Sequence, residues 1–259
     1  SAGRMRLNKK YEVPPEMIAI PNDAESLNEG KRIFQYRGCE ACHGEQLQGL
    51  IYLDNPAIGQ VITPNLTSGQ GGIGAQRTDK DLIRAIKHGI RPDGTPLLFM
   101  PSTEFYFLSN TDLGKVLAYI RKVPPVKNEM QPSKLSFSGF AVMNVMKDIT
   151  FLPAELIPHD EPPPSAPEPG ITAQYGEYLS ISCKVCHGLT LSGGEISGFP
   201  AEWPAAPNLT SGTGSRLSAW GQAGFMNIIS AGEKHGRRIN PNYMPWKSYR
   251  HMTDDELRA

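Results

Sequence analysis

The chain has 259 residues, and its 26 lysines and arginines balance 26 aspartates and glutamates, so no charge bias indicates a nucleic-acid partner. The length suits two small domains, and frequent glycine and proline favour loop-rich domains over a long-helix bundle or a parallel sheet. No apolar run reaches the roughly 18 residues that predict a membrane-spanning helix.

The first predicted segment is an N-terminal arm, residues 1–22. It opens with SAGRMRLNKK, which carries four positive charges in ten residues. We interpret it either as a solvated tail or as the stub left when a membrane anchor is removed, which would lie near anionic lipid. A start at Ser1 is typical of a mature or trimmed product. Residues 23–34 then predict a helix with Leu27, Ile33 and Phe34 on one side.

The cysteines follow this helix and recur later in the chain. All four lie in two C-x-x-C-H motifs, which contain Cys39, Cys42 and His43 and then Cys183, Cys186 and His187. Two disulfides, a zinc site or a thiol redox centre could use the cysteines, but none explains a histidine after both pairs. Covalent haem explains every position, since each cysteine forms a thioether and the histidine becomes the proximal iron ligand. The motifs therefore predict two covalently attached haem c groups with iron.

The repeat extends beyond the cysteines and indicates a tandem duplication. PNLTSG at residues 64–69 recurs at 207–212, and Leu47-x-Gly49 recurs as Leu191-x-Gly193. Met-Pro follows the motif histidine by 57 residues in both copies, at Met100 and Met244. A thioether sulfur would raise the reduction potential and fill the sixth position, so these two methionines are the predicted sixth ligands.

Other histidines compete for that role. His88 and His235 each precede the methionine of their copy, and we interpret both as solvated loop-edge residues because each is flanked by lysine and glycine. His159 and His251 have no partner in the repeat and are predicted to lie on the surface.

Further helices are predicted from their capping residues. Thr78-x-x-Asp81 and Ser109-x-x-Asp112 each open a helix, and a helix with Phe225, Ile228 and Ile229 matches the first of them in the second copy. Thr253 opens a last helix, of which only a short part follows, so we expect the natural chain to continue by about a dozen or more residues. Strand signals are weak, so each domain should be mostly helix and loop.

Two segments separate the copies. Residues 134–157 carry a broad apolar stripe that predicts a short helix; it packs between the domains or, alternatively, docks on a membrane or partner protein. PPPSAPEPG at 162–170 predicts a semi-rigid polyproline linker. The predicted domains are the arm 1–22, domain 1 at 23–125, the interdomain segment and linker at 126–170, and domain 2 at 171–259, whose C-terminal helix is incomplete.

The order of helix, C-x-x-C-H, PNL loop, Met-Pro loop and terminal helix resembles the class I cytochrome c fold. In more detail, the chain is similar to bacterial membrane-attached two-haem cytochromes c and to cytochrome subunits of periplasmic dehydrogenases. The resemblance implies a mostly α protein with two tandem class I domains. It places Pro64, Leu66, Pro207 and Leu209 at the cofactor, with each proline carbonyl accepting the second ring N–H of the proximal histidine. It also implies that Gly30 and Gly176 allow the last helix of each domain to approach closely, in domain 1 at Tyr119.

The expected function is electron transfer without catalytic residues. We expect a periplasmic or other extracytoplasmic protein, with or without a membrane anchor. It would connect a donor dehydrogenase or quinol-oxidising complex to a terminal oxidase or another cytochrome. The alternatives are a two-haem peroxidase with one labile sixth ligand and a haem-based sensor or scaffold module. Paired methionine ligands argue against the peroxidase, and the lack of a fused effector domain argues weakly against the sensor.

Overall fold

The computed structural model of the protein describes residues 2–146, 149–196 and 202–259. The chain divides into two compact units. Unit 1 comprises Ser1–Phe34 and Cys39–Ser165, and unit 2 comprises Gln35–Gly38 and Ala166–Ala259. Residues 126–165, which the sequence assigned to an interdomain segment, are therefore grouped with unit 1.

Helices and short sheets alternate along the chain. Before the proline-rich linker the helices are α1 (Ala2–Asn8), α2 (Ala24–Tyr36), α3 (Cys39–His43), α4 (Asp79–His88), α5 (Ser102–Phe105), α6 (Asn110–Lys122) and α7 (Phe137–Val145), with a 3-10 turn at Pro153–Glu155. After it they are α8 (Ala173–Leu179), α9 (Lys184–His187), α10 (Leu217–Ala231), α11 (Trp246–Tyr249) and α12 (Asp254–Arg258), with a 3-10 turn at Ser180–Cys183. The prediction of a mostly helical protein is confirmed. No helix in the described part of the chain is long and apolar enough to cross a membrane.

The predicted caps set the helix starts. The Thr78 hydroxyl accepts from the Asp81 amide while the Asp81 carboxylate accepts from the Thr78 amide, so α4 opens with a complete capping box. Ser109 caps α6 through the Asp112 amide. Thr253 and Glu256 form a second complete box at α12. Helix α10, which carries Phe225, Ile228 and Ile229 as predicted, is interrupted at Gly221, where φ is 62°.

Unit 1 contains a small antiparallel sheet that the sequence did not predict. Strands β1 (Ile51–Asn55), β2 (Gly59–Ile62) and β3 (Lys134–Leu135) pair in that order, with Ile51 opposite Ile62 and Gly59 opposite Leu135. Strand β3 has only two residues and therefore shows no alternation of apolar and polar side chains, which explains why this strand was not predicted. After the linker, β4 (Glu233–Lys234) and β5 (Arg237–Arg238) form a hairpin.

The apolar segment 134–157 packs on elements of unit 1. Its helix α7 contacts α1, β3 pairs with β2, and the 3-10 turn contacts α5. Met143, Phe151 and Leu152, each at most 2% exposed, form a core cluster with partly buried side chains that include Phe99. The sequence predicted that this segment packs between the domains or docks on a membrane or partner protein. The observed contacts build a core cluster inside unit 1, and both predicted roles stay predictions. Residues 147 and 148 of the segment lie outside the described part.

Helix crossings at two glycines repeat between the units. A Cβ atom at Gly30 would lie 1.9 Å from the Lys115 carbonyl oxygen and 3.2 Å from the Tyr119 Cβ, so α2 and α6 cross at a position that only glycine allows. A Cβ at Gly176 would lie 2.3 Å from the Ala259 carbonyl oxygen. Lys115 and Ala259 are 144 residues apart, the offset of the cysteine motifs. The predicted close approach at Gly30 is confirmed, and unit 2 repeats it.

Candidate haem-binding sites

The first motif forms a one-turn helix. Helix α3 holds Cys39 and Cys42 three residues apart on one face and ends at His43, whose ring is buried. The His43 Nδ1 atom lies 3.3 Å from the Pro64 carbonyl oxygen. Because a carbonyl only accepts, Nδ1 carries the proton, and Nε2 keeps the lone pair that a metal ion needs. Burial lowers the pKa of His43, although the bond to Pro64 opposes this, so the ring is held neutral.

The second motif repeats this arrangement in unit 2. The 3-10 turn ending at Cys183 continues into α9, which carries Cys186 and ends at the buried His187. The His187 Nδ1 atom donates to the Pro207 carbonyl oxygen at 2.9 Å. Burial again lowers the pKa of the imidazole. Both histidines thus have the tautomer that suits an iron ligand.

The half-buried Cys42 of the first motif is poorly suited to redox exchange. Burial raises the pKa of the Cys42 thiol to about 11, so the nucleophilic thiolate is disfavoured at neutral pH. In residues 2–146, 149–196 and 202–259, no group of three or more His, Cys, Asp or Glu side chains is arranged to hold a metal ion. The donor set at each motif, two thiols and one neutral imidazole, fits covalent haem.

The chain around each motif is fixed by matching backbone contacts. The Leu66 amide donates to the Leu47 carbonyl and the Leu209 amide donates to the Leu191 carbonyl, both at 2.8 Å. Leu47 and Leu191 share a left-handed conformation, with φ of 57° and 59°, which is uncommon for a non-glycine residue. Both PNL loops therefore bind, through the same contact, the leucine that lies four residues after the motif histidine. Direct contact of Leu66 and Leu209 with the cofactor stays a prediction.

The Met-Pro segments also repeat. Met100 and Met244 are both half-buried, and each precedes a proline that opens a short helix. Pro101 has φ −76° and ψ 53°, and Pro245 has φ −79° and ψ 51°. The Met100 carbonyl accepts from the Ser102 amide at 2.7 Å, and the Met244 carbonyl accepts from the Trp246 amide at 2.8 Å. The two segments share one conformation, while their coordination of iron stays a prediction.

His88 is not the solvated residue that the sequence predicted. It is 2% exposed, and its Nδ1 atom lies 3.0 Å from the Nδ1 atom of His159. His159 in turn donates from Nε2 to the Ala154 carbonyl at 2.8 Å. Beside them the buried Lys87 donates to Glu16 at 2.7 Å and to Asn110 at 2.8 Å. His88 is thus engaged in a polar cluster of unit 1.

Other histidine predictions have mixed outcomes. His159 is half-buried and hydrogen-bonded, so its assignment to the open surface is wrong. His235 is exposed in the turn between β4 and β5, where its φ is 49°, and its prediction as a loop residue is confirmed. Contacts such as that between His88 and His159 join residues 71 positions apart, and no sequence periodicity signals them.

Comparison with known proteins connects this geometry to a family. The cytochrome c family model matches residues 27–124. These residues form a cytochrome c domain. Such a domain implies covalently bound haem c, and the matched residues contain the first C-x-x-C-H motif.

The chain is also similar to curated dehydrogenase subunits. It is 25% identical to the alcohol dehydrogenase (quinone) cytochrome c subunit of Gluconobacter oxydans, over 92% of this chain and 54% of that protein. It is 25% identical to the fructose dehydrogenase cytochrome subunit of Gluconobacter japonicus, over 88% and 49%. It is 26% identical to a nicotinate dehydrogenase subunit of Pseudomonas putida, over 84% and 19%. The chain spans about half the length of the first two relatives.

Among solved structures, a Kuenenia stuttgartiensis reducing HAO-like protein complex superposes with a TM-score of 0.23 at 15% identity, over 93% of this chain and 98% of that one. This superposition is too poor to indicate a shared fold.

Proposed function

We propose that the protein is a two-haem c-type cytochrome that carries electrons outside the cytoplasm. The observation that carries the proposal is the matched pair of histidine contacts, His43 with Pro64 and His187 with Pro207. A hydrogen bond from the second ring nitrogen fixes the tautomer and orientation of a metal-ligating imidazole. Unit 2 has this arrangement as well as unit 1, which supports a second haem and a tandem cytochrome architecture.

In the proposed sites, haem c supplies a reversible one-electron change at its iron. Cys39 and Cys42 would attach one group and Cys183 and Cys186 the other, with His43 and His187 as proximal ligands. Met100 and Met244 would fill the sixth positions, which favours a carrier over an oxygen- or peroxide-activating site. The shared backbone conformation of the two Met-Pro segments supports equivalent roles for both methionines.

The relatives support a dehydrogenase as the electron donor. Their names describe cytochrome subunits of alcohol and fructose dehydrogenases and a nicotinate dehydrogenase subunit. By analogy, this chain would accept electrons from a catalytic dehydrogenase subunit, or alternatively from a quinol-oxidising complex, and pass them to a terminal oxidase or another cytochrome. It would act in the periplasm, with or without a membrane anchor, and would contribute no catalytic residue itself.

Haem stoichiometry in matched variants tests the proposal. The alkaline pyridine assay should give two haems per wild-type chain. The pair Cys39→Ala/Cys42→Ala and the pair Cys183→Ala/Cys186→Ala should each leave one. A wild-type ratio near one, or no loss in the second pair, contradicts the two-haem proposal.

Ligand variants then test the carrier function. The oxidised protein should show the weak far-red band of thioether-to-iron charge transfer. Met100→Ala and Met244→Ala should each remove about half of it. Peroxide turnover should stay negligible in fully and half-reduced wild-type protein. Turnover that rises on half-reduction, with loss of methionine ligation at one haem, would instead favour the peroxidase.

A further inference from the structure

The PNLTSG loops of the two units share an inner turn. The Asn65 Oδ1 atom accepts from the amide and the hydroxyl of Thr67, at 3.0 and 2.8 Å. The Asn208 Oδ1 atom accepts the same two bonds from Thr210, both at 2.8 Å. Local sequence therefore builds the same Asx turn after each proline. Differences between the loops must come from what holds them on either side.

The residue before the proline differs between the copies. In unit 1 it is Thr63, whose hydroxyl donates to the Cys42 carbonyl at 2.6 Å and accepts from the Leu50 amide at 3.0 Å. In unit 2 it is Ala206, which has no side-chain donor. The Thr63 hydroxyl thus binds the Pro64 loop to the turn that carries His43. Ala206 cannot make this bond, and it instead exchanges two backbone hydrogen bonds with Gly194, at 2.9 and 2.8 Å.

The asparagine after the proline also differs in its surroundings. Asn65 is fully buried, and its Nδ2 atom donates to the carbonyls of Val126 and Asn128, at 2.8 and 3.3 Å. The Asn128 side chain donates in turn to the Gln48 carbonyl at 2.7 Å. In unit 2, Asn208 is only partly buried and donates to Thr213 within its own loop at 3.3 Å. The Asn65 side chain therefore binds the unit 1 loop to residues 126–128, whereas the Asn208 side chain bonds within the unit 2 loop.

In unit 1, where Thr63 and Asn65 make these hydrogen bonds, the contact between the motif histidine and the proline carbonyl is longer than in unit 2. The Pro64 carbonyl oxygen is 3.3 Å from His43, whereas the Pro207 oxygen is 2.9 Å from His187. We propose that Thr63 and Asn65 are positioning residues that hold the Pro64 carbonyl back from His43 and so raise the reduction potential of the unit 1 haem above that of the unit 2 haem. The inference rests on the proposed function, since it assigns a tuning role within the haem sites.

The direction follows from ligand basicity. A shorter N–H···O bond places more electron density on the imidazole, which favours the ferric state and lowers the reduction potential. The longer bond at His43 stabilises the ferric state less. If the hydrogen bonds of Thr63 and Asn65 are removed, the Pro64 carbonyl can approach His43 as closely as Pro207 approaches His187. The unit 1 haem should then become harder to reduce.

Asparagine variants in the two copies form a matched test on the full holoprotein. Asn65→Ala should shift the reduction equilibrium of the unit 1 haem about fivefold towards the ferric state, or about 40 mV at 59 mV per tenfold change. Asn208→Ala removes the same Asx turn in unit 2 and should shift its haem less than about twofold. Mediated redox titration measures both couples, with Met100→Ala assigning the unit 1 couple. In the Met100→Ala background, where the ferrous unit 1 haem lacks its methionine ligand, the iron–histidine stretching frequency should rise when Asn65→Ala is added.

Equal shifts in the two variants, no shift, or a shift of the unit 1 haem towards the ferrous state would overturn the proposal. If Asn65→Ala fails to fold, Thr63→Ala decides, because it copies the alanine that unit 2 tolerates. It should shift the unit 1 couple about twofold in the same direction, while Thr63→Ser keeps the hydroxyl and the wild-type value. A serine variant that shifts as far as the alanine variant also overturns the proposal. Failure of the proposed function is seen separately, as a missing couple in the wild-type titration.

Discussion

In unit 1 the PNLTSG loop lies beneath residues 126–128, and Asn65 and Thr67 are at most 1% exposed, whereas the matching loop of unit 2 is only partly buried. The turns, the leucine conformations and the Met-Pro geometry are nevertheless the same in both. Local geometry at a haem motif is thus set by the repeated residues themselves. The chain that is not repeated, residues 126–165 and the N-terminal arm, adds burial and fixed polar contacts to unit 1.

The largest difference between the units is expected when the glycines at the two helix crossings are replaced. Gly30→Ala places a methyl group against the Lys115 carbonyl inside two long helices, and we expect a loss of about 3 kcal/mol in the free energy of unfolding. Gly176→Ala places its methyl group 2.3 Å from the Ala259 carbonyl oxygen, with no further residue as close as Tyr119 is to Gly30, and should lose about 1 kcal/mol. Urea unfolding measures both. Gly170→Ala is the control because no atom lies within 4 Å of the added methyl group. Equal losses at Gly30 and Gly176 would show that the crossings are equally rigid.

Charge pairing gives the next contrast. Glu16→Gln leaves the Lys87 ammonium, 2% exposed, with Asn110 as its remaining partner, and should cost about 2 kcal/mol. The comparison is Glu177→Gln in unit 2, whose carboxylate is 75% exposed and 3.5 Å from Lys184. It should change stability by less than about 0.5 kcal/mol. A similar small effect at both sites in urea unfolding would mean that water already screens the Lys87 pair.

The two complete capping boxes allow a finer comparison. Thr78→Ala should lower stability by about 1 kcal/mol, since α4 has ten residues packed against the rest of unit 1. Thr253→Ala should lower it by about 0.5 kcal/mol because three acidic residues in the first turn of α12, Asp254, Asp255 and Glu256, also stabilise the start of that helix. Serine at either position keeps the hydroxyl and should restore the wild-type unfolding midpoint. If the serine variants behave like alanine, the lost stability comes from the threonine methyl group instead of the cap.

Sequence reasoning reached the features that a short motif encodes. The cysteine motifs, both capping boxes and the close approach at Gly30 depend on residue identity at fixed spacing, and each appears in the structure as predicted. The contact of His43 with the Pro64 carbonyl was also predicted, and the structure contains it.

The missed features join distant parts of the chain. The contacts of Asn65 with Val126 and of His88 with His159 span 61 and 71 positions. The short strand β3 pairs with β2 across a similar separation. Such contacts arise from tertiary packing, which neither helical nor strand periodicity reports. The sequence does show one difference between the two loops: Thr63 precedes the first PNLTSG, and Ala206 precedes the second.

Acid should weaken unit 1 through the His88 and His159 pair, and this is the smallest effect expected. Burial is the main cause that lowers the pKa of His88; the charges of His159 and Lys87 add to it, and Glu16 opposes it. Burial also lowers the pKa of His159, with Lys9 adding and the Ala154 carbonyl and Asp160 opposing. In the unfolded chain both rings have a pKa of about 6.5. Folded unit 1 therefore binds protons less readily than the unfolded chain. Its stability from this pair is present above that pH and is lost as the pH falls towards the folded values.

The test compares urea unfolding at about pH 7.5 and about pH 5.5. The double variant His88→Gln/His159→Gln should show a smaller decrease on acidification than the wild type. His235→Gln removes an exposed ring of unit 2 and should keep the wild-type decrease. An unchanged decrease in the double variant would place the acid sensitivity in the carboxylates, since paired carboxylates also lose their contribution as they are protonated. A reduced decrease would instead assign the acid sensitivity to the contact between the buried His88 and the half-buried His159. Because His159 has no counterpart in the second copy, that sensitivity would be specific to unit 1.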